Sequence, residues 1–211
     1  MTVKLHCFGE SGNSYKAALA LELGGVDWEP VKVDFFNGAT RSDDFRTQIN
    51  PMGEAPVLIT QEATLTQSGV IQQWVVDKTG ELGGAPAERY EVLRWVLWDN
   101  HKLSSQAGMT RFLMNFLPAA KRPAEVIAFM HARLRAAYAV LDGHLEGRDW
   151  IVGRDVTVAD ISCCAYLYYP EPFGFERKDW PHIDAWLTRL SAVPGWKHPY
   201  DLMPGSPADR A

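Results

Sequence analysis

Strand patterns are confined to the first part of this sequence, and only helix patterns follow the Gly- and Pro-rich run at residues 80–87. Alternation of apolar and polar residues indicates strands, whereas apolar residues three or four positions apart indicate helices. The change predicts an α/β domain over residues 1–79 and an all-α domain over residues 88–211, joined by a linker over residues 80–87. A chain of 211 residues can hold two domains of this size.

The α/β half combines a βαβ unit with a β-hairpin and a final helix. A strand, a helix and a strand of this length form a unit whose two strands are parallel. Ser14 stands at the N-cap position of the first helix, and Gly24-Gly25 ends it. The predicted elements are, in chain order, strand 3–8, helix 15–23, strand 31–35, strands 56–59 and 64–66, and helix 68–78.

The second half shows no strand pattern. A long helix is predicted over residues 88–117 and another after Pro123, with apolar positions continuing to Leu145. Two more helices fit residues 157–168 and 181–192. The tail from Pro199 is expected to dock loosely.

Composition narrows the function classes. The formal net charge is -5 and no basic run occurs, which argues against a nucleic-acid partner. Apolar stretches end well before the ~18 residues of a membrane-spanning helix, so no membrane association is expected. Three cysteines, two of them adjacent, and an N-terminus without a signal-peptide pattern indicate a reducing, cytoplasmic setting. The six histidines show no metal-ligand spacing, so no metal is expected.

A polar segment, Ser11-Gly12-Asn13-Ser14, precedes the first helix. The N-terminus of a helix presents unpaired N–H groups and a partial positive charge, so hydroxyls there can donate to a bound thiolate or carboxylate. Capping alone would explain Ser14, but it explains Ser11 less well because Ser11 lies three residues earlier.

Three more segments are candidates for ligand binding or for helix capping. Ala55-Pro56-Val57 opens a strand with either a cis or a trans proline, and the sequence leaves both open. Gln67-Ser68 begins a helix whose N–H groups either hold a carboxylate or are simply capped by Ser68. Thr157-Val158-Ala159-Asp160 fits a capping box, and its loss is expected to lower stability by about 1–2 kcal/mol.

Taken in order, these segments resemble the soluble glutathione transferase superfamily over nearly the whole chain. The resemblance implies a thioredoxin-like domain followed by an all-helical domain. Within the superfamily, the sequence looks like a bacterial member that uses serine, similar to the theta and zeta classes. The segments that carry it are Ser11-Gly12-Asn13-Ser14-Tyr15-Lys16, Asn50-Pro51-Met52-Gly53-Glu54-Ala55-Pro56-Val57, Leu65-Thr66-Gln67-Ser68-Gly69-Val70-Ile71, and Val152-Gly153 with Thr157-Val158-Ala159-Asp160.

The resemblance implies that Ser11 donates a hydrogen bond to the sulfur of glutathione. An alternative alignment, to bacterial members of the cysteine type, places the catalytic position at Asn13 with Ser14 assisting. The glutathione-binding residues are then expected to be Arg41 for the glycine carboxylate, Ala55, Pro56 and Val57 for the cysteinyl part, and Gln67 and Ser68 for the γ-glutamyl end. The chain departs from the family pattern at Glu54 and Gln67, where members often carry Lys and Glu, so the subclass stays open.

The implied activity is activation of the glutathione thiol as a thiolate for attack on small hydrophobic electrophiles or peroxides. Alternatives are a glutathione-dependent isomerase and a non-catalytic binding or regulatory protein. The resemblance also implies a homodimer, in which Asp99 would reach the γ-glutamyl amine held by the partner. An electrophile pocket is expected near Phe8, Glu10, His101, Met109, Phe112 and Phe116.

Overall fold

The computed structural model describes residues 2–205 of the chain. These residues form two units, an N-terminal unit of residues 2–83 together with 194–205, and a helical unit of residues 84–193. The sequence pattern assigned everything from residue 88 onward to the helical domain, whereas the segment from Pro194 packs with the N-terminal unit. Within the described residues, no helix combines the length and apolar character needed to cross a membrane.

The N-terminal unit is built on a four-stranded mixed sheet, which confirms the α/β prediction. Its strands follow the order β2-β1-β3-β4. The β1 and β2 strands are parallel, as the βαβ pattern predicts, and the other two pairs are antiparallel. The elements are β1 (Val3–Cys7), α1 (Gly12–Leu23), β2 (Trp28–Lys32), α2 (Asp43–Gln48), β3 (Val57–Ile59), β4 (Thr64–Thr66) and α3 (Ser68–Thr79).

Strand β2 lies earlier in the sequence than predicted. The alternation over residues 31–35 indicated the strand, but the structure has it at Trp28–Lys32. Pro30 is compatible with this position because β2 is an edge strand. Val33 still donates to Cys7 O at 2.9 Å, and it then joins a buried apolar cluster in which Phe35 also packs. Beyond Val33 the alternation therefore reflects packing in this cluster rather than strand pairing.

The first helix also begins earlier than predicted. Ser11, not Ser14, is the N-cap residue, because its extended backbone precedes Gly12 and its Oγ accepts the Ser14 N–H at 3.1 Å. At α3 the N-cap position belongs to Gln67, and Ser68 is the first helical residue. Ser11 therefore caps α1 in place of Ser14, and Ser68 is not the cap of α3.

The C-terminal segment runs back along α1, so the expectation of loose docking was wrong for residues 199–205; residues 206–211 lie outside the described residues. Tyr15 Oη donates to Lys197 O at 2.7 Å, and Gly9 N donates to Pro204 O at 2.7 Å. Between these two bonds lies the last helix of the described chain, whose Leu202 is buried. The segment therefore lines α1 up to the residues that immediately precede Ser11.

The helical unit confirms the all-α prediction, with one interruption. The predicted helix over 88–117 contains a π-helical segment at Asp99–Ser104. The buried Asp99 carboxylate accepts from Ser104 Oγ, five residues later, at 2.8 Å and from Ser162 Oγ at 2.7 Å. The helices are α4 (Arg89–Trp98), α5 (Ser105–Asn115), α6 (Ala124–Leu145), α7 (Val158–Cys164), α8 (Pro181–Ser191) and, in the N-terminal unit, α9 (Pro199–Leu202).

Candidate functional site

The segments singled out in the N-terminal half of the sequence meet at one edge of the sheet, whereas the capping box at Thr157–Asp160 belongs to the helical unit. His6, near the end of β1, pairs with Val57 at the start of β3, and Val57 pairs with Thr66 at the end of β4. The chain on either side of this row carries Ser11, the Ala55–Pro56 bond and Gln67-Ser68. Cys7 also pairs with Lys32, so the segment that leads to Arg41 leaves from the same edge.

Ser11 has a hydroxyl that can still donate a hydrogen bond. Its Oγ accepts the N–H of Ser14, and that bond uses a lone pair and leaves the hydroxyl proton available. The residue is 8 % exposed and stands at the N-terminus of the twelve-residue α1. The helix adds a partial positive charge, so the position favours a thiolate over a thiol.

The neighbours of Ser11 differ in accessibility. Asn13 is half-buried in the first turn of α1. Ser14 is fully buried, and its Oγ has no hydrogen-bond partner among residues 2–205. Cys7 is also fully buried, and burial raises the pKa of its thiol to about 12, so it stays protonated at neutral pH. Only Ser11 and Asn13 in this group therefore combine a polar side chain with access.

The Ala55–Pro56 peptide bond is cis, which settles the alternative that the sequence left open. The buried Asn50 holds the loop before it, donating to Glu54 O at 2.9 Å and accepting from Met52 N at 3.1 Å. The N–H and C=O of Ala55 take part in none of the hydrogen bonds found among the described residues. They can pair with an extended peptide.

The start of α3 has the features of an anion site. Val70 and Ile71 donate to Gln67 O, while the N–H groups of Ser68 and Gly69 enter no backbone bond within residues 2–205. Ser68 is 5 % exposed, and its hydroxyl makes no hydrogen bond in the same range. Gln67 has a φ of 69°, a backbone conformation that non-glycine residues adopt mostly where the surroundings impose it.

Two arginines lie near these segments. Arg41 ends a short 3₁₀ turn, Ala39–Arg41, and is exposed. The guanidinium of Arg46 lies beside Gly53, with Nη2 2.9 Å from where a Cβ of that residue would stand. The sequence analysis missed Arg46 because no local pattern marks a contact across seven residues.

Comparison with known proteins decides the family. Residues 1–77 match the family described as "Glutathione S-transferase, N-terminal domain", and residues 105–194 match its C-terminal domain. A glutathione S-transferase structure from Xanthobacter autotrophicus Py2 is 30 % identical with a TM-score of 0.85, and the match covers 99 % of this chain and 98 % of that one. The chain belongs to the soluble glutathione transferase superfamily.

Other relatives of this transferase-family chain have different names. Elongation factor 1-gamma 3 of Oryza sativa is 27 % identical over 93 % of the chain, but the chain spans only 48 % of that relative's length. The disulfide-bond oxidoreductase YfcG of Escherichia coli is 25 % identical over 95 % of the chain and 90 % of its own length. Family membership alone therefore does not determine the reaction.

The residues predicted for the electrophile pocket fall in both units of this family member. In the N-terminal unit, Phe8 stacks on Phe35 with ring centroids 4.7 Å apart, and the buried Glu10 carboxylate lies against Gly205. In the helical unit, His101 and Met109 are exposed, and Phe112 and Phe116 form a half-buried pair with centroids 6.1 Å apart. Their role with an electrophile stays a prediction. Within residues 2–205, no group of His, Cys, Asp and Glu could hold a metal ion.

Proposed function

We propose that the protein is a glutathione transferase in which Ser11 stabilises the thiolate of bound glutathione. The observation that carries the proposal is the Ser11 hydroxyl, which accepts the Ser14 N–H and keeps its proton at the N-terminus of α1. Accepting one hydrogen bond polarises a hydroxyl and strengthens the bond that it donates. A free cysteine thiol has a pKa of about 8.5, and each unit of lowering corresponds to ~1.4 kcal/mol.

The sheet edge supplies the groups that hold the tripeptide. The backbone of Ala55, beside Pro56 and Val57, pairs with the cysteinyl residue. Ser68 and the N-terminus of α3 bind the γ-glutamyl carboxylate, with Gln67 beside them. The glycine carboxylate binds either Arg41, which the sequence suggested, or Arg46, whose guanidinium lies beside Gly53.

The reaction needs no nucleophile from the protein. The thiol of glutathione loses its proton to solvent, and the resulting thiolate attacks an electrophilic carbon. With an aryl halide, a carbon–sulfur bond forms and the carbon–halogen bond breaks, so that halide leaves with the electron pair. With an epoxide the ring carbon–oxygen bond breaks and the oxygen takes the pair, and with an enone the conjugated carbonyl takes it; a proton from solvent then completes either product. Ser11 donates to the sulfur throughout and stays unmodified, because no histidine base adjoins it in the sequence. Catalysis here consists of lowering the thiol pKa and positioning the sulfur.

The decisive experiment is conjugation of glutathione to a chloro-nitroaromatic compound, followed by product absorbance, beside calorimetry of glutathione binding. Binding with turnover supports the transferase. Binding without turnover of aryl halides, epoxides or peroxides would favour the alternative of a non-catalytic binding or regulatory protein. The isomerase alternative requires glutathione-dependent conversion of an isomer without conjugate formation.

A related activity deserves a parallel assay because of the similarity to YfcG. Within the described chain the three cysteines are buried and form no disulfide, so none is accessible for exchange with a disulfide. Disulfide reduction would therefore depend on the thiolate of glutathione itself. The reducing cytoplasmic setting that forms part of this proposal is compatible with three cysteines outside any disulfide in the described chain.

Replacing Ser68 with alanine should weaken glutathione binding about tenfold or more, since a hydrogen bond to a charged group contributes about 1.5–3 kcal/mol. The pKa of the bound thiol should hardly change, because Ser68 contacts the far end of the ligand. Calorimetry measures the first effect and thiolate absorbance the second. Ser105→Ala, at the first residue of α5 in the other unit, is the matched control. Unchanged affinity in Ser68→Ala would mean that no ligand contacts this hydroxyl.

Dimerisation is a second prediction. Tyr90, Leu93 and Leu97 form an exposed apolar stripe along α4, with Tyr90 70 % and Leu97 59 % exposed, and α3 exposes Val70. Apolar stripes of this kind suit a two-fold interface. Sedimentation at micromolar concentration should show a dimer, and Leu97→Glu should yield monomer. A wild-type protein that sediments as a monomer would contradict the predicted dimer.

The suggestion that Asp99 reaches into the partner's site was wrong. Its carboxylate is fully buried and bound to Ser104 and Ser162 within one helical unit. A dimer would therefore have to form without that contact.

A further inference from the structure

We propose that Glu54 supplies the negative charge that binds the α-ammonium of the γ-glutamyl group. It would thereby select thiol peptides with a free γ-glutamyl amine. The inference deepens the proposed function and rests on it, because it assumes that a γ-glutamyl peptide occupies the sheet edge.

The position of Glu54 follows from two contacts. Gln67 Nε2 donates to Glu54 Oε2 at 3.0 Å, which draws the carboxylate to the residue just before α3. Asn50 Nδ2 donates to the backbone oxygen of Glu54 at 2.9 Å, which fixes the loop that carries it. Glu54 therefore lies between Ala55, where the cysteinyl residue is proposed to pair, and Ser68, where the γ-glutamyl carboxylate is proposed to bind.

The same contact leaves acceptors for an ammonium group. The amide of Gln67 donates through its nitrogen, so its Oε1 remains an acceptor. The second carboxylate oxygen of Glu54 is another acceptor. An ammonium group has three N–H donors, and two of them can be satisfied by these oxygens. Gln67 has a positive φ, which persists only where the surrounding structure imposes it, so the pair is partly preorganised.

Charge supports this assignment. Glu54 takes part in no ion pair within residues 2–205, whereas Glu22 and Glu29 of the same unit are paired with Lys197 and Lys4. A γ-glutamyl group carries a carboxylate and an ammonium on one carbon. The positive end of α3 attracts that carboxylate and repels the ammonium, so the ammonium needs an anion close by. Glu54 is the carboxylate whose hydrogen bond reaches the start of this helix.

Both side chains are exposed in the free protein, so solvent screens the interaction until a ligand covers it. We therefore expect a moderate effect. Glu54→Gln should weaken glutathione binding about fivefold to tenfold, in the range of partly desolvated ion pairs.

The experiment compares three peptides by calorimetry on the full chain. Glutathione carries the α-ammonium, the γ-glutamyl carboxylate and the glycine carboxylate. Glutaryl-Cys-Gly lacks only the α-ammonium, and the C-terminal amide of glutathione lacks only the glycine carboxylate. Glu54→Gln should weaken glutathione and its amide equally and leave glutaryl-Cys-Gly unchanged. The double variant Glu54→Gln/Gln67→Glu should restore glutathione binding to within about twofold, because it moves the charge across the same hydrogen bond. Glu62→Gln, in the β3–β4 turn, is the control and should change nothing.

Three results would overturn the inference. Glutathione affinity could be unchanged in Glu54→Gln, or the double variant could fail to restore it. Glutathione could also bind more tightly to Glu54→Gln while its amide does not, which would place Glu54 against the glycine carboxylate. A wild-type protein that binds no glutathione would overturn the proposed function itself, whereas the three results above assume wild-type binding and reject Glu54 alone.

Discussion

Replacing Ser11 with alanine is expected to raise the pKa of the bound glutathione thiol by about 1–2 units. The hydroxyl donates to a charged sulfur, and such a bond contributes about 1.5–3 kcal/mol, which corresponds to this shift. Turnover at neutral pH should then fall about 10- to 100-fold, because less of the bound ligand is thiolate. Glutathione affinity should drop little, since the carboxylates and backbone dominate ground-state binding.

Thiolate absorbance in the ultraviolet, followed against pH, measures the shift. Ser11 also caps α1, so alanine removes a helix cap worth about 1 kcal/mol together with the donor. Ser11→Thr keeps both functions and should titrate almost as the wild type does. Ser42→Ala removes the matching cap of α2, where Ser42 Oγ accepts the Phe45 N–H at 3.2 Å, and should lower stability without moving the thiol pKa.

The competing assignment to Asn13 and Ser14 is tested in the same titration. Asn13→Ala should have the smaller effect. If Ser11→Ala leaves the titration unchanged and Asn13→Ala raises the thiol pKa, the catalytic position lies two residues later than we propose. The fully buried Ser14 makes that outcome hard to explain without movement of α1.

Local patterns were sufficient for the fold class and for the segments that form the candidate site. Alternation and helical spacing gave the βαβ unit, the hairpin and the helical unit, because these signals depend on neighbours a few residues apart. These patterns failed where two residues close together in the sequence both fit the same structural position. Both Ser11 and Ser14 suit an N-cap, and only the backbone of Ser11 shows which one caps α1. Val33 and Phe35 likewise alternate, but they pack in a cluster beyond β2.

Contacts between distant residues could not be read from the sequence. Gln67 and Glu54 are thirteen residues apart, and their contact depends on the loop that Asn50 holds. The bond between Tyr15 and Lys197 joins residues 182 positions apart. Nothing near Lys197 in the sequence indicates that the chain returns to α1. The chemistry of the proposed site therefore needed the register of the sheet as well as the motifs.

Asp160 shows the same contrast between local and distant contacts. The sequence predicted its capping box, and the structure confirms it with Asp160 Oδ2 accepting from Thr157 N at 2.9 Å. The other oxygen accepts from Ile151 N and from Trp186 Nε1, both at 2.9 Å. The carboxyl is fully buried, and burial raises its pKa although these bonds oppose the shift. One side chain thus joins the start of α7 to the preceding loop and to α8.

Asp160→Ala is expected to destabilise the protein by about 3–5 kcal/mol, more than the 1–2 kcal/mol of a cap alone, because several buried donors lose their acceptor. Thermal unfolding should show a fall in Tm of about 10 °C, taking ~2–4 °C for each kcal/mol in a chain of this size. Glutathione affinity below the transition should be retained, since the proposed binding residues all lie in the N-terminal unit.

Two graded variants keep this prediction testable even if Asp160→Ala does not fold. Trp186→Phe removes one donor and keeps most of the ring, so it should lower stability by about 1–2 kcal/mol. Asp160→Asn keeps the shape of the side chain but turns an NH₂ group toward donors. Its loss of stability should lie between those of Asp160→Ala and Trp186→Phe. Asp155→Ala, at an exposed carboxylate of the same loop, should leave Tm unchanged. If Asp160→Asn and Trp186→Phe were as stable as Asp155→Ala, the long-range bonds would contribute nothing, and Asp160 would act only as the local cap that the sequence predicts.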